Sequence, residues 1–239
     1  DVHPGFAAVH ELNARLPEEC LWLMAPDLDF GFWSACTNIP SFLMWRATQD
    51  QVPRYRYHRS FLQHLQRRGD RRRWVLKSPV HLGRLDALFA VYPDARVILT
   101  HRDPVKSMTS FASLTALVRS MGSDHVDKAE IAEDWIERLA GVWQRALKLR
   151  SEKTWPNAIL YDVMFADFVK DQFKVVEQIY EALGLEMTDE GARDRDALLL
   201  PPDSSDGRRA SIPASPSIAS FAFAIPRAFA LSMPIDSGP

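Results

Sequence analysis

The sequence predicts a helix-rich α/β protein with a short parallel sheet, and three observations support this fold class. First, 46% of the 239 residues are hydrophobic and 25% are charged, which is a globular composition. Second, 29 basic residues nearly balance 31 acidic ones, which excludes a strongly cationic protein that coats nucleic acid. Third, short apolar runs alternate with longer segments whose apolar residues recur at helical spacing. This alternation is typical of parallel strand-helix-strand units.

The first two predicted elements are helices. Residues 4–16 place apolar side chains on one helical face, at Phe6, Val9, Leu12 and Leu16. Residues 55–68 do the same, at Tyr57, Phe61, Leu62 and Leu65. Each helix is therefore expected to pack one side on a core.

A strand-helix-strand unit follows an arginine-rich loop. Residues 74–76 are predicted to form a short buried strand and residues 81–92 a helix. A second strand is predicted at 95–100 and a second helix at 104–121. The order favours a parallel pairing of the two strands, since parallel neighbours need a crossover connection.

Three more elements complete the pattern. Residues 127–150 form a long predicted helix and residues 158–163 a third strand. An amphipathic helix over 165–183 is closed by Gly184, because glycine is the common residue just after a helix end.

The composition changes sharply near residue 200. Of the 39 residues in 201–239, 24 are Ser, Pro, Ala or Gly. Such a segment buries too little apolar surface to offset its chain entropy. We expect a domain over residues 1–200 and a low-complexity tail over 201–239 that is disordered or misread.

Cysteine content and hydropathy bear on the compartment. Cys20 and Cys36 are too few for a disulfide framework and lack the spacing of a zinc site. A reduced, cytoplasmic setting is the expectation. No apolar run reaches the roughly 18 residues that a transmembrane helix needs.

Positive charge is concentrated in residues 54–106, which hold 13 Lys or Arg against 4 Asp. A local positive field on a nearly neutral protein suits a compact anionic ligand. A solvated arginine-rich face is the alternative interpretation. Nucleic-acid binding is less favoured, because the stretch lacks the interleaved aromatics of a single-strand platform.

The end of the strand at 95–100 predicts an anion site. Asp103 is a good N-cap residue and Pro104 a good first helical residue, so a helix N-terminus follows the strand directly. Free N–H groups there would lie beside Arg102. Ser107 and Ser110, three residues apart, could add hydroxyl donors. The alternative is an ordinary helix start with a surface cation.

The end of the strand at 74–76 carries a second candidate pair. Lys77 supplies a point charge suited to a transferring phosphoryl or sulfuryl group. His81, four residues later, is the residue type most often used as a base at neutral pH. The alternative for His81 is a helix-start residue satisfied by backbone.

The central residues resemble the sulfotransferase family. The similarity lies in the runs Arg73-Trp74-Val75-Leu76-Lys77-Ser78-Pro79-Val80-His81-Leu82, Tyr92-Pro93-Asp94-Ala95-Arg96 and Thr100-His101-Arg102-Asp103-Pro104, with Ser110. They are most similar to the bacterial type, which has an LKSP-x-H strand end and a PDA…HRDP strand end. The resemblance covers most of residues 1–200.

The resemblance implies transfer of a sulfuryl group from 3′-phosphoadenosine 5′-phosphosulfate (PAPS) to a hydroxyl or amine, without a metal. Arg102 and Ser110 would bind the donor's 3′-phosphate, and Ser107 competes with Ser110. Lys77 would contact the sulfuryl group, and His81 would be the base. Some branches use a glutamate instead, for which the unplaced alternatives are Glu11, Glu18 and Glu19. The expected partner is a small-molecule, glycan or lipid acceptor.

The sequence also departs from the family. It lacks the first strand and the Gly/Thr/Ser-rich loop that holds the 5′-phosphosulfate. The expected fold is thus a P-loop-NTPase-like three-layer sandwich, missing its first strand and P-loop. The start at Asp1 and the tail suggest a truncated or misread gene, for which weak or no activity is expected. The alternatives are a non-catalytic remnant that binds adenosine 3′,5′-bisphosphate and a basic nucleic-acid module.

Overall fold

The computed structural model describes residues 18–27, 33–67, 73–152 and 155–187, in which helices outnumber strands. The helix predicted at 4–16 and the tail at 201–239 lie outside these ranges. Among the described helices, none combines the length and apolar character needed to cross a bilayer.

The described helices before residue 68 are α1 (Cys20–Met24), α2 (Trp33–Cys36), α3 (Pro40–Ala47) and α4 (Val52–Gln66). The helix α4 confirms the prediction at 55–68, but its buried face is different. Tyr55, His58 and Leu62 are buried, whereas Leu65 is 48% exposed. The apolar pattern does not predict the buried face of α4, because two polar residues, Arg54 and His58, are also buried. Arg54 is hydrogen-bonded to Gln51 and His58 to Tyr92, which makes their burial possible.

The prediction of a strand at residues 74–76 is wrong. Residues 73–78 are without strand pairing among the described residues, although the backbone of Lys77 accepts a hydrogen bond from Cys20 N at 2.9 Å. Three apolar residues carry too little pattern to distinguish a paired strand from an unpaired segment. The chain then makes a 3₁₀ turn (Pro79–Arg84) before α5 (Leu85–Val91), so the helix predicted at 81–92 begins later than expected.

The sheet of the described residues has two parallel strands, β1 (Arg96–His101) and β2 (Ile159–Met164). Arg96 is opposite Ile159 and His101 is opposite Met164. The crossover runs through α6 (Pro104–Ser120) and α7 (Lys128–Glu152), which confirms the helices predicted at 104–121 and 127–150. The parallel partner of the strand predicted at 95–100 is therefore the one predicted at 158–163, not the one at 74–76.

Apolar side chains pack on both faces of this sheet. Val97 and Leu99 of β1 join a core formed mainly by α5, whose buried members are Leu85, Ala87, Leu88, Phe89 and Val91. Ile98 packs against a second core, built from Val163, Phe168, Val175, Val176, Ile179 and Leu183. A strand that is covered on both faces has a nearly continuous apolar sequence. The apolar run in β1 therefore predicts the strand correctly. Helix, sheet and helix thus form three layers.

The helix predicted at 165–183 is two helices, α8 (Phe165–Lys170) and α9 (Gln172–Ala182). They meet at Asp171, an extended residue whose carboxylate accepts a hydrogen bond from Lys174 N at 3.0 Å. Asp171 therefore caps a new helix instead of continuing the old one.

The predicted cap at Gly184 is confirmed. Gly184 has φ of 60°, and its N–H donates to Glu181 O at 3.0 Å, while Leu185 N donates to Tyr180 O at 2.8 Å. These two bonds form a Schellman motif, which satisfies carbonyls at the end of α9.

We expect Gly184→Ala to lower the free energy of unfolding by about 1 kcal/mol, because a Cβ disfavours positive φ. Among the described residues, no heavy atom outside Gly184 and its two chain neighbours lies within 4 Å of a Cβ built there, so the cost is conformational. Gly141→Ala is the matched control, since Gly141 lies within α7 and also has open space. It should raise stability by about 0.5–1 kcal/mol in urea unfolding. Equal effects of the two substitutions would contradict this account.

Candidate active site

The end of β1 leads directly into a capped helix, as the sequence predicts. The Asp103 carboxylate accepts a hydrogen bond from Lys106 N at 3.0 Å, and Pro104 is the first residue of α6. Pro104 has no N–H, and the Ser107 N–H donates to the Asp103 carbonyl at 3.0 Å. The first turn therefore offers an anion the Val105 N–H and the positive end of the helix dipole.

Arg102 lies at the edge where both strands end. Its guanidinium carbon is 5.0 Å from the ring centroid of Phe165, the first residue after β2. A cation over an aromatic face is held in place without losing its charge. Arg102 is thus ordered next to the α6 N-terminus.

The two candidate serines of α6 differ in their hydroxyl partners. Ser107 Oγ donates to the Asp103 carbonyl at 3.0 Å, so it is occupied within its own helix. Ser110 is half-buried, and its hydroxyl has no hydrogen bond among the described residues. Ser110 is therefore the better placed of the two to serve a ligand.

An ion-pair network borders this strand edge. Arg150 of α7 binds Asp162 of β2 through two hydrogen bonds, at 2.9 and 2.6 Å, and His101 Nε2 lies 2.5 Å from the same carboxylate. Hydrogen bonds from Arg150, and secondarily from His101, hold the pKa of Asp162 below its usual range. The network joins α7 to both strands. Its member in β1, His101, immediately precedes Arg102 in the chain.

Lys77 is paired with a glutamate. Its Nζ forms a salt bridge with Oε1 of Glu19, which immediately precedes α1. The Lys77 side chain is 38% exposed and that of Glu19 is 18% exposed, so the pair lines a partly open surface. The backbone bond from Cys20 to Lys77 holds the two segments together.

Two polar atoms here are buried and have no hydrogen-bond partner within the part of the chain that the structure describes. They are Oε2 of Glu19 itself and Oγ of Ser78, which follows Lys77. A buried, unpaired polar group costs about 1–3 kcal/mol, so native proteins retain few of them. A bound polar group at this position would satisfy them.

His81 lies in the 3₁₀ turn that follows Lys77. Its Nδ1 is 2.8 Å from the Tyr55 hydroxyl, and its ring centroid is 6.3 Å from that of His58. Burial, with a smaller effect of His58, lowers the pKa of His81 to about 3. His58 is itself buried, with Nδ1 at 2.9 Å from the Tyr92 hydroxyl, and burial lowers its pKa to about 4. Both imidazoles are neutral at pH 7.

The predicted side chains thus fall into two groups. Lys77 and His81 precede α5, whereas Arg102, Ser107 and Ser110 follow β1, the element after α5. The sequence did not identify Tyr55 as a partner of His81, and it left Glu19 among three unplaced glutamates. Pairs separated by 26 and 58 residues leave no local pattern from which they could be found.

Comparisons with known proteins bear on this arrangement. Residues 2–189 match the model of a family described as "Sulfotransferase family". The crystal structure of sulfotransferase STF1 from Mycobacterium tuberculosis H37Rv matches with 34% identity and a TM-score of 0.69. The match covers 77% of this chain and 50% of STF1, so the chain spans about half the length of that relative. No curated protein matches.

Proposed function

The chain belongs to the sulfotransferase family, and from this premise we propose that it transfers a sulfuryl group from PAPS to a hydroxyl or amine acceptor. In this reaction the acceptor oxygen or nitrogen bonds to sulfur as the bond from sulfur to the bridging phosphate oxygen breaks. Adenosine 3′,5′-bisphosphate leaves with the electron pair, and a base takes the acceptor proton. The observation that carries the proposal is the ordered Arg102 beside a capped helix N-terminus, with Ser110 on the same helix.

Arg102 and Ser110 are proposed to bind the donor's 3′-phosphate. A guanidinium can donate two parallel hydrogen bonds to a phosphate, and the α6 N-terminus adds the Val105 N–H and a favourable dipole. The unoccupied hydroxyl of Ser110 supports its role over that of Ser107, whose hydroxyl is bound to Asp103.

Lys77 is proposed to contact the sulfuryl group. Charge accumulates on the sulfuryl and bridging oxygens during transfer, and a fixed ammonium stabilises it without reorganisation. The neighbouring Ser78 hydroxyl is buried and has no partner among the described residues, and it is a second donor suited to the same oxygens.

Two groups compete as the base, His81 and Glu19. Protonation of His81 would place a positive charge in an enclosed site next to His58, and its Nδ1 is already bonded to Tyr55. Protonation of Glu19 would instead remove a negative charge and leave Lys77 free to face the leaving oxygen. The charge balance therefore favours Glu19 as the base, with His81 as a positioning residue.

Binding of adenosine 3′,5′-bisphosphate tests the donor site. We expect Arg102→Ala to weaken binding about 10- to 100-fold in calorimetric titration, because charge-assisted hydrogen bonds contribute about 1.5–3 kcal/mol. Ser110→Ala should weaken it up to about tenfold. Ser107→Ala is the matched control and should leave the affinity unchanged.

Three other outcomes, measured by this titration together with a sulfuryl-transfer assay and a polynucleotide titration, distinguish the alternatives. Tight binding with no sulfuryl transfer by the same chain would favour the non-catalytic nucleotide-binding alternative. No binding of the bisphosphate, with steeply salt-dependent binding of polynucleotide, would favour the nucleic-acid module. Equal effects of Ser107→Ala and Ser110→Ala would contradict the assignment of the phosphate donor.

The identity of the base is tested by the rate of sulfuryl transfer. We expect Glu19→Gln to lower kcat by about 100-fold or more, the usual contribution of a general base. His81→Asn should lower it by about tenfold or less, because it keeps a polar side chain near Tyr55. A larger loss in His81→Asn, with activity retained in Glu19→Gln, would assign the base to His81.

A further inference from the structure

Two histidine–tyrosine pairs lie side by side, His81 with Tyr55 and His58 with Tyr92. The Tyr55 hydroxyl lies 2.8 Å from His81 Nδ1, and the Tyr92 hydroxyl lies 2.9 Å from His58 Nδ1. The centroids of the two imidazole rings are 6.3 Å apart. Because a neutral imidazole carries one proton on either of its nitrogens, the hydroxyl partner of Nδ1 determines which nitrogen is the donor.

The hydrogen bond between Tyr55 and His81 runs from the hydroxyl to the ring. Tyr55 is 1% exposed, and burial raises the pKa of its hydroxyl, which therefore keeps its proton at neutral pH. A buried hydroxyl proton needs an acceptor, and Nδ1 of His81 supplies one within the described residues. A proton on Nδ1 would instead leave the hydroxyl proton without this acceptor. Nδ1 is therefore unprotonated, and the one proton of the neutral His81 ring lies on Nε2.

The Nε2 atoms of the two histidines have different surroundings. Nε2 of His58 is buried and has no hydrogen-bond partner in the part of the chain that the structure describes. Nε2 of His81 has no partner among those residues either, but His81 is partly exposed. Of the two, His81 is therefore the histidine that can offer its N–H to a bound molecule.

The pair formed by Tyr55 and His81 borders the proposed transfer site. The backbone N–H of His81 donates to Ser78 O at 3.4 Å, so the 3₁₀ turn holds His81 next to the segment that carries Lys77. Tyr55 belongs to α4, which packs against α1, the helix that begins directly after Glu19. The pair therefore borders the two segments that carry the proposed sulfuryl-binding lysine and the proposed base.

We propose that Tyr55 holds His81 as its Nε2–H tautomer, and that His81 then positions the transferring sulfuryl group by donating a hydrogen bond to one of its oxygens. Sulfuryl oxygens accept hydrogen bonds and donate none, so an N–H suits them and a lone pair does not. The bond orients the group for in-line attack while Glu19 takes the acceptor proton. The role of His81 towards the sulfuryl group rests on the proposed function.

The tautomer of His81 is measured by ¹⁵N NMR of the full chain, because a ring nitrogen that carries a proton resonates far upfield of one that does not. The His81 signals are those that disappear in His81→Gln. We expect a protonated Nε2 and an unprotonated Nδ1 at pH 7. Tyr55→Phe should move the Nδ1 signal, since the lone pair loses its hydrogen bond. Tyr92→Phe is the matched control, because it removes the hydroxyl of the neighbouring pair and should leave the His81 signals in place.

The role of the His81 N–H is measured by the rate of sulfuryl transfer. His81→Leu, which has no donor, should lower kcat by about tenfold, the effect of losing one hydrogen bond. His81→Gln should lower it by less than about threefold, because its amide N–H lies near the position of Nε2. A base at this position would lose as much activity in His81→Gln as in His81→Leu, since neither side chain can take a proton.

Each part of the proposal has a result that overturns it. A proton on Nδ1 of His81 in the unsubstituted chain would overturn the assigned tautomer, and this spectrum decides the tautomer even if Tyr55→Phe does not fold. An Nδ1 signal that Tyr55→Phe leaves in place would overturn the role of Tyr55. Equal losses of kcat in His81→Gln and His81→Leu would overturn the role of His81 as a donor. If the unsubstituted chain transfers no sulfuryl group but shows the Nε2–H tautomer and its dependence on Tyr55, the proposed function fails and the role of Tyr55 stands.

Discussion

Burial of α5 is the interaction on which the arrangement of the candidate site depends. Leu85 is fully buried and Leu88 and Phe89 are each 3% exposed, packed against α4, β1 and the segment before the 3₁₀ turn. Burying side chains of this size contributes about 1.5–3 kcal/mol each. Because Lys77 and His81 precede α5 and β1 follows it after a short turn, this packing fixes both groups of site residues relative to one core.

The ion pairs around this core join charged residues from distant parts of the chain. Glu19 contacts Lys77, and Asp162 contacts both Arg150 and His101, across the described fold. These pairs are partly exposed, so their main effect is orientation and not stability.

Much of the fold could be predicted because its elements carry strong local patterns. The strand β1 is a continuous apolar run, and α6 begins at Asp103-Pro104, a cap and first residue that need no tertiary information. The segment at 74–76 could not be assigned correctly, because strand pairing depends on a neighbour and not on three apolar residues. The break at Asp171 was missed since an aspartate can lie in a helix or cap one. Within the site, the strand-end residues followed from sequence order, whereas the roles of Glu19 and Tyr55 required the tertiary structure.

The central claim is that the carboxyl end of β1 binds the donor nucleotide and Lys77 acts on the transferred group. A crystal structure of the chain with adenosine 3′,5′-bisphosphate tests it most directly. The account predicts the 3′-phosphate within hydrogen-bond distance of the Arg102 guanidinium and the Ser110 hydroxyl, with the 5′-phosphate directed towards Lys77. A bisphosphate bound away from Arg102 and Ser110 would contradict it.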